Sequence, residues 1–122
     1  MSIFKKLLGL QDLEVTGNLQ VGMFQKRFFE SFGTEIRVYK PKSDGTINTG
    51  AGSRSPDEKS TMASIAAKGF KVQDLTVKKS NTVGQVEKEF AQKMGIGIQI
   101  MTRDGKKFAP NDARLKDVAA LG

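Results

Sequence analysis

The chain has 122 residues, 38% hydrophobic and 27% charged, with a formal net charge of +7 and a pI near 9.8. That suits one globular domain or two very small ones, and no apolar run approaches the length of a membrane-spanning helix. Cysteine and histidine are both absent, which removes disulfides, thiolate catalysis, cysteine metal sites, the commonest general acid/base and the commonest zinc ligand. The sequence therefore reads as a non-enzymatic cytoplasmic protein with no catalytic, cofactor-binding or metal-binding residue.

Residues 1–10 place Ile3, Phe4, Leu7 and Leu8 on one helical face and Lys5 and Lys6 on another. This predicts a short amphipathic helix that either caps the core or makes weak contact with an anionic membrane surface or a partner groove. Leu13 and Val15 alternate as a short strand, and Gly17-Asn18 is a turn signal. Val21, Phe24, Phe28 and Phe32 then recur at helical spacing before Gly33, which suits the left-handed position past a helix end. Phe29 lies off that stripe, either as part of a wider buried face or as an exposed partner contact.

Residues 34–40 alternate like a strand. Asp44-Gly45 signals a hairpin, with a short return strand over 46–49. The segment 41–55 is rich in Ser, Gly, Thr and Asn; it reads as a flexible loop, with a phosphate cradle at Gly50, Ala51 and Gly52 as the sharper alternative. Residues 56–67 predict a short helix capped by Asp57 or Ser60, with Met62 and Ile65 facing inward.

The pattern then returns. Shifted by 62 positions without a gap, residues 73–100 match residues 11–38 at ten of 28 positions, among them Leu75, Val77, Val83, Gly84, Phe90 and Gly95; ordinary composition would give roughly two. Thr82 and Gln85 have capping-box spacing. Ile96, Ile98 and Ile100 alternate as a strand, Asp104-Gly105 turns it towards Phe108 and Ala109, and Leu115 to Ala120 forms a closing helical turn. Met62 and Ile65 match Leu115 and Val118 at a step of 53, so the first copy carries nine extra residues in its Gly-rich loop.

The predicted fold is α+β, with two pseudo-symmetric strand-helix-strand-strand repeats and short closing helices. The boundaries are 1–10 for the N-terminal helix, 11–69 for the first repeat and 70–122 for the second. Units this small bury too little alone, so the repeats should share one core, or the chain should form homo-oligomers. Within each repeat the first two strands are parallel if the helix crosses over them, and that crossover should be right-handed. The two repeats could then place their strands edge to edge or face to face about a pseudo-twofold axis that buries both helix stripes.

Leu75 and Val77, then Ser80-Asn81-Thr82-Val83, Val86, Phe90, Lys93 and Gly95-Ile96 resemble the strand-helix segment of ubiquitin, in register. Gly105-Lys106 and Leu115-x-Asp117-Val118 resemble its later turn and short helix. The likeness implies a β-grasp-like half and a module that binds proteins through an exposed sheet face. The chain closes on Ala120-Leu121-Gly122 rather than a di-glycine tail, so the resemblance does not imply conjugation chemistry.

Two functional readings follow. The first is a protein-interaction or scaffold module of ubiquitin-like character, with candidate contacts at Phe29, Tyr39, Lys40, Lys42, Arg54, Lys106 and Lys107. The second is a basic nucleic-acid-binding protein whose lysines and arginines meet phosphates without sequence preference. The core should consume most of the eight phenylalanines and leave few for base stacking. Positions 1–69 hold ten Lys/Arg against seven Asp/Glu, and 70–122 hold ten against six, so the charge is spread rather than focused.

Overall fold

The computed structural model describes residues 12–42, 44–47, 49 and 55–121. The expected N-terminal helix, Arg54 and the Gly50–Gly52 cradle lie outside them. The described chain is a small α+β fold with four helices and two antiparallel two-stranded sheets. In chain order these are β1 (Leu13–Val15), α1 (Val21–Phe32), β2 (Ile36–Tyr39), α2 (Met62–Ile65), β3 (Leu75–Val77), α3 (Val83–Lys93), β4 (Gly97–Ile100) and α4 (Leu115–Val118).

The strands pair between the two segments, edge to edge, and β1 does not pair with β2. β1 pairs with β3, and β2 pairs with β4, both antiparallel. The reason lies in strand length. Strands of three or four residues gain little from standing alone, and the other segment supplies an edge of the same length and alternation. Glu14 stands opposite Thr76, and Arg37 stands opposite Gln99. Both pairs are 62 positions apart, the same step that aligns 11–38 with 73–100.

Both long helices form because their apolar residues fall on one stripe. Val21, Phe24, Phe28 and Phe32 are buried on α1, and Val83, Val86 and Phe90 on α3. Gly33 ends α1 at φ 75°, a left-handed position that costs glycine nothing. Thr82 and Gln85 close the capping box on α3. On α1, Gln20 offers no side-chain cap. Its first N–H groups are satisfied by backbone instead: Val21 N donates to Ser60 O at 2.8 Å and Gly22 N to Glu58 O at 2.8 Å. The same bonds recur on α3, from Val83 N to Ala113 O and from Gly84 N to Asn111 O, both 2.9 Å. A methyl group on either Gly22 or Gly84 would press against that carbonyl, at 3.2 Å and 3.3 Å.

One hydrophobic core joins the elements: Phe24, Phe28, Phe32, Ile36, Val38, Val86, Phe90, Ile98, Ile100, Met62 and Leu115 belong to a single buried cluster. The rings of Phe24 and Phe90, one from each long helix, lie 5.3 Å apart. Thr34 is also fully buried, and its hydroxyl has no hydrogen-bond partner among the described residues.

Three local expectations need correction. The helix expected over 56–67 contracts to Met62–Ile65, because Thr61 rather than Asp57 or Ser60 caps it, accepting from Ser64 N; Asp57 instead accepts from Lys59 N in a turn. No strand forms among the described residues of 46–49. Lys42 N bonds Thr46 O to close the turn, and Ile47 and Thr49 lie against Gly97. After β4, the hairpin return is a single bridge, Met101 to Phe108, flanked by the Thr102 N–Lys107 O and Ala109 N–Ile100 O bonds.

Candidate functional site

The β2–β4 ribbon has two faces. Ile36, Val38, Ile98 and Ile100 are buried on the inner face. Arg37, Tyr39 and Gln99 alternate with them and stand half-buried on the outer face. This outer surface is held in place. The Tyr39 hydroxyl donates to Gln99 Oε1 at 3.0 Å, and the Arg37 guanidinium donates to Gly105 O at 3.4 Å. Glu35 lies 3.9 Å from Arg37 Nε, an exposed pair that contributes little to stability.

Turns frame the ribbon. At one end the chain passes from Tyr39 through exposed Lys40 and Lys42, and Ile47 and Thr49 cover Gly97. At the other end stands the hairpin tip, with Arg103, Asp104, Lys106, Lys107 and Phe108 exposed. Both tips use an aspartate to fix the turn. Asp44 Oδ1 accepts from Thr46 N at 2.9 Å, and that backbone bond chiefly holds its carboxyl below the usual range. Asp104 Oδ1 accepts from Lys106 N at 3.0 Å and from the Thr102 hydroxyl at 2.7 Å. The Lys106 N–H is likewise the larger cause of its lowered pKa. The acid on the second tip is thus turned onto its own loop, while Lys106 and Lys107 point their charge outward. An open depression of about 520 Å³ adjoins this tip, lined by Arg103, Asp104, Ala119, Ala120 and Leu121.

Of the residues picked from sequence, Tyr39, Lys40, Lys42, Lys106 and Lys107 gather along this ribbon and its turns. Phe29 is 56% exposed but belongs to α1, the helix packed on the ribbon's inner side. Of the seven phenylalanines within the described residues, the core takes four. Phe24, Phe28, Phe32 and Phe90 are buried, whereas Phe29, Phe70 and Phe108 are exposed to 56%, 38% and 59%. Sequence reasoning missed Arg37, Gln99 and Phe108 as surface contacts. Strand alternation marks Arg37 and Gln99 as outward-facing, but nothing in sequence shows that the two stand opposite each other. Phe108 reads only as lying near the end of a return strand, which leaves the 59% exposure of its side chain unannounced.

Among the described residues no group of three or more acidic side chains is placed to hold a metal ion, and no helix is long and apolar enough to cross a membrane. No family model matches the chain, and neither curated proteins nor solved structures match it.

Proposed function

We propose that the protein is a non-catalytic protein-interaction or scaffold module of ubiquitin-like character, which engages its partner through the outer face of the β2–β4 ribbon. The observation that carries this reading is the ordering of that face. Tyr39 is bonded to Gln99 and Arg37 to the tip of the second hairpin, so little rotamer freedom is left to lose on binding. Exposed lysines flank it at both ends, which favours an acidic partner.

The same reading takes the chain as a duplicated, β-grasp-like half. Two features support it: antiparallel registers centred on Glu14/Thr76 and Arg37/Gln99, and hydrogen bonds that recur at steps of 62 and 53. Two equivalent strands that pair about equivalent residues imply a twofold relation between the halves. That relation would place the outer ribbon face on the axis, where both halves contribute to one surface.

Nucleic-acid binding is the second reading, favoured by one feature, the exposure of Phe108 beside Lys106 and Lys107. A photo-cross-linking amino acid at position 99, with position 30 on the solvent side of α1 as control, separates the two. Protein adducts confined to position 99 and resistant to nuclease are expected. Adducts that disappear with nuclease, or form equally from position 30, would overturn the protein-binding reading.

A further inference from the structure

The second hairpin ends in an open sheet edge. Thr102 N bonds Lys107 O at 2.8 Å, and Ala109 N bonds Ile100 O at 2.8 Å. These bonds flank the Met101–Phe108 bridge, so the N–H and C=O of Phe108 point away from β4. Among the described residues no backbone group bonds either of them. An unpaired edge is ordinarily blunted with charge or proline, and Lys106, Lys107 and Pro110 do that here. A large aromatic side chain, 59% exposed, in the middle of the same edge does the opposite.

We propose that this edge takes an extended acidic peptide segment, which exchanges both backbone hydrogen bonds with Phe108, lays an apolar side chain on its ring and sets carboxylates against Lys106, Lys107 and Arg103. The proposal rests on the reading of the protein as a protein binder and names the chemistry of the partner. The charge that deters a second copy of this basic chain is the charge that selects an acidic strand. A single-stranded nucleic acid fits less well. It stacks successive bases on several aromatics, and Phe108 is the one exposed ring on this hairpin; Tyr39 is half-buried and committed to Gln99. A sugar-phosphate chain also lacks the N–H and C=O pair that would match both orphan groups of Phe108.

The test uses the full chain and a fluorescent, end-capped peptide that alternates valine with glutamate, followed by fluorescence anisotropy at low and moderate salt. Three changes probe three parts of the contact. N-methylation of the central valine removes the peptide's N–H donor. Phe108→Pro removes the outward N–H of the edge and spares both hairpin bonds, and Lys106→Glu with Lys107→Glu reverses the charge. Each is expected to weaken binding about tenfold or more, the loss of one well-placed contact, while the thermal midpoint of the charge-reversed protein stays near that of the parent. Equal affinity for the methylated and unmodified peptides would overturn strand pairing; if affinity still fell with charge reversal, the surface would remain a protein-binding face of another kind. Absence of any peptide binding at low salt would remove both the strand-pairing proposal and the acidic-partner reading. Tighter binding of a short oligothymidine than of the peptide, lost on charge reversal, would overturn the proposal in favour of nucleic acid.

Discussion

Truncation of Phe90 to alanine tests whether the two segments share one folding unit. Phe90 is fully buried on α3, and its ring meets that of Phe24 on α1 at 5.3 Å. Removing a buried phenylalanine costs about 3–5 kcal/mol, against a total of roughly 6–18 kcal/mol for a chain of this length. In a single cooperative unit that loss reaches every core amide. Native-state hydrogen exchange reads it directly, since each 1.4 kcal/mol is a tenfold change in the open population. The α1 amides, on the other helix, should lose protection by about a hundredfold to several thousandfold, matching the loss on α3 and the drop in the urea midpoint. Phe24→Ala should act the same way in reverse. In the double variant, a coupling of about 0.5–1.5 kcal/mol should survive as the aromatic share of the contact. If α1 amides exchanged at parental rates while α3 amides exchanged faster, the shared-core reasoning would fail.

Other substitutions probe single features. Thr34→Val removes a buried hydroxyl that has no partner among the described residues and should raise stability by about 1 kcal/mol in urea denaturation; a loss of stability would show that the hydroxyl has a partner. Gly95 and Gly69 both hold left-handed backbone, at φ 65° and 84°, but a methyl group on Gly95 meets the Phe70 ring at 2.8 Å whereas one on Gly69 meets nothing within 4 Å among the described residues. Gly69→Ala should therefore cost about 1–2 kcal/mol, and Gly95→Ala distinctly more, by thermal or urea unfolding. Burial pushes the Glu87 carboxyl above its usual range, so its charged form costs stability once pH rises above that raised pKa. Glu87→Gln should raise the melting temperature at neutral pH and lose the advantage in acid, where Glu87 is already neutral. Asp104 has the opposite sign: its lowered pKa contributes order to the hairpin above the ordinary carboxylate range and loses it as pH falls through the lowered value. The protection of the Lys106 amide, its exchange rate taken relative to the intrinsic rate at each pH, should fall over that acid interval, and Asp104→Asn should remove that fall.

Periodicity was enough to locate both long helices, their glycine stops and the strands beside them, because each signal is local. A stripe of Val21, Phe24, Phe28 and Phe32, or an Ile98-x-Ile100 alternation, is written within one turn or one strand. The capping box of Thr82 and Gln85 is equally local, and it formed. Pairing was not legible in this way. Strand alternation states which face is buried but not which edge meets which, and β1 found β3 rather than β2 because a short strand takes the partner that the packed helices bring alongside it. The candidate surface inherits that limit. Tyr39, Lys40, Lys42, Lys106 and Lys107 stand out by residue type alone. Their assembly along one ribbon depends on the long-range pairing of Arg37 with Gln99, and Phe108 stands exposed on a return that makes a single bridge. Chemistry carried by neighbouring residues was written in the chain; chemistry carried by residues 60 positions apart was decided by packing, which alone brings such residues within reach of one another.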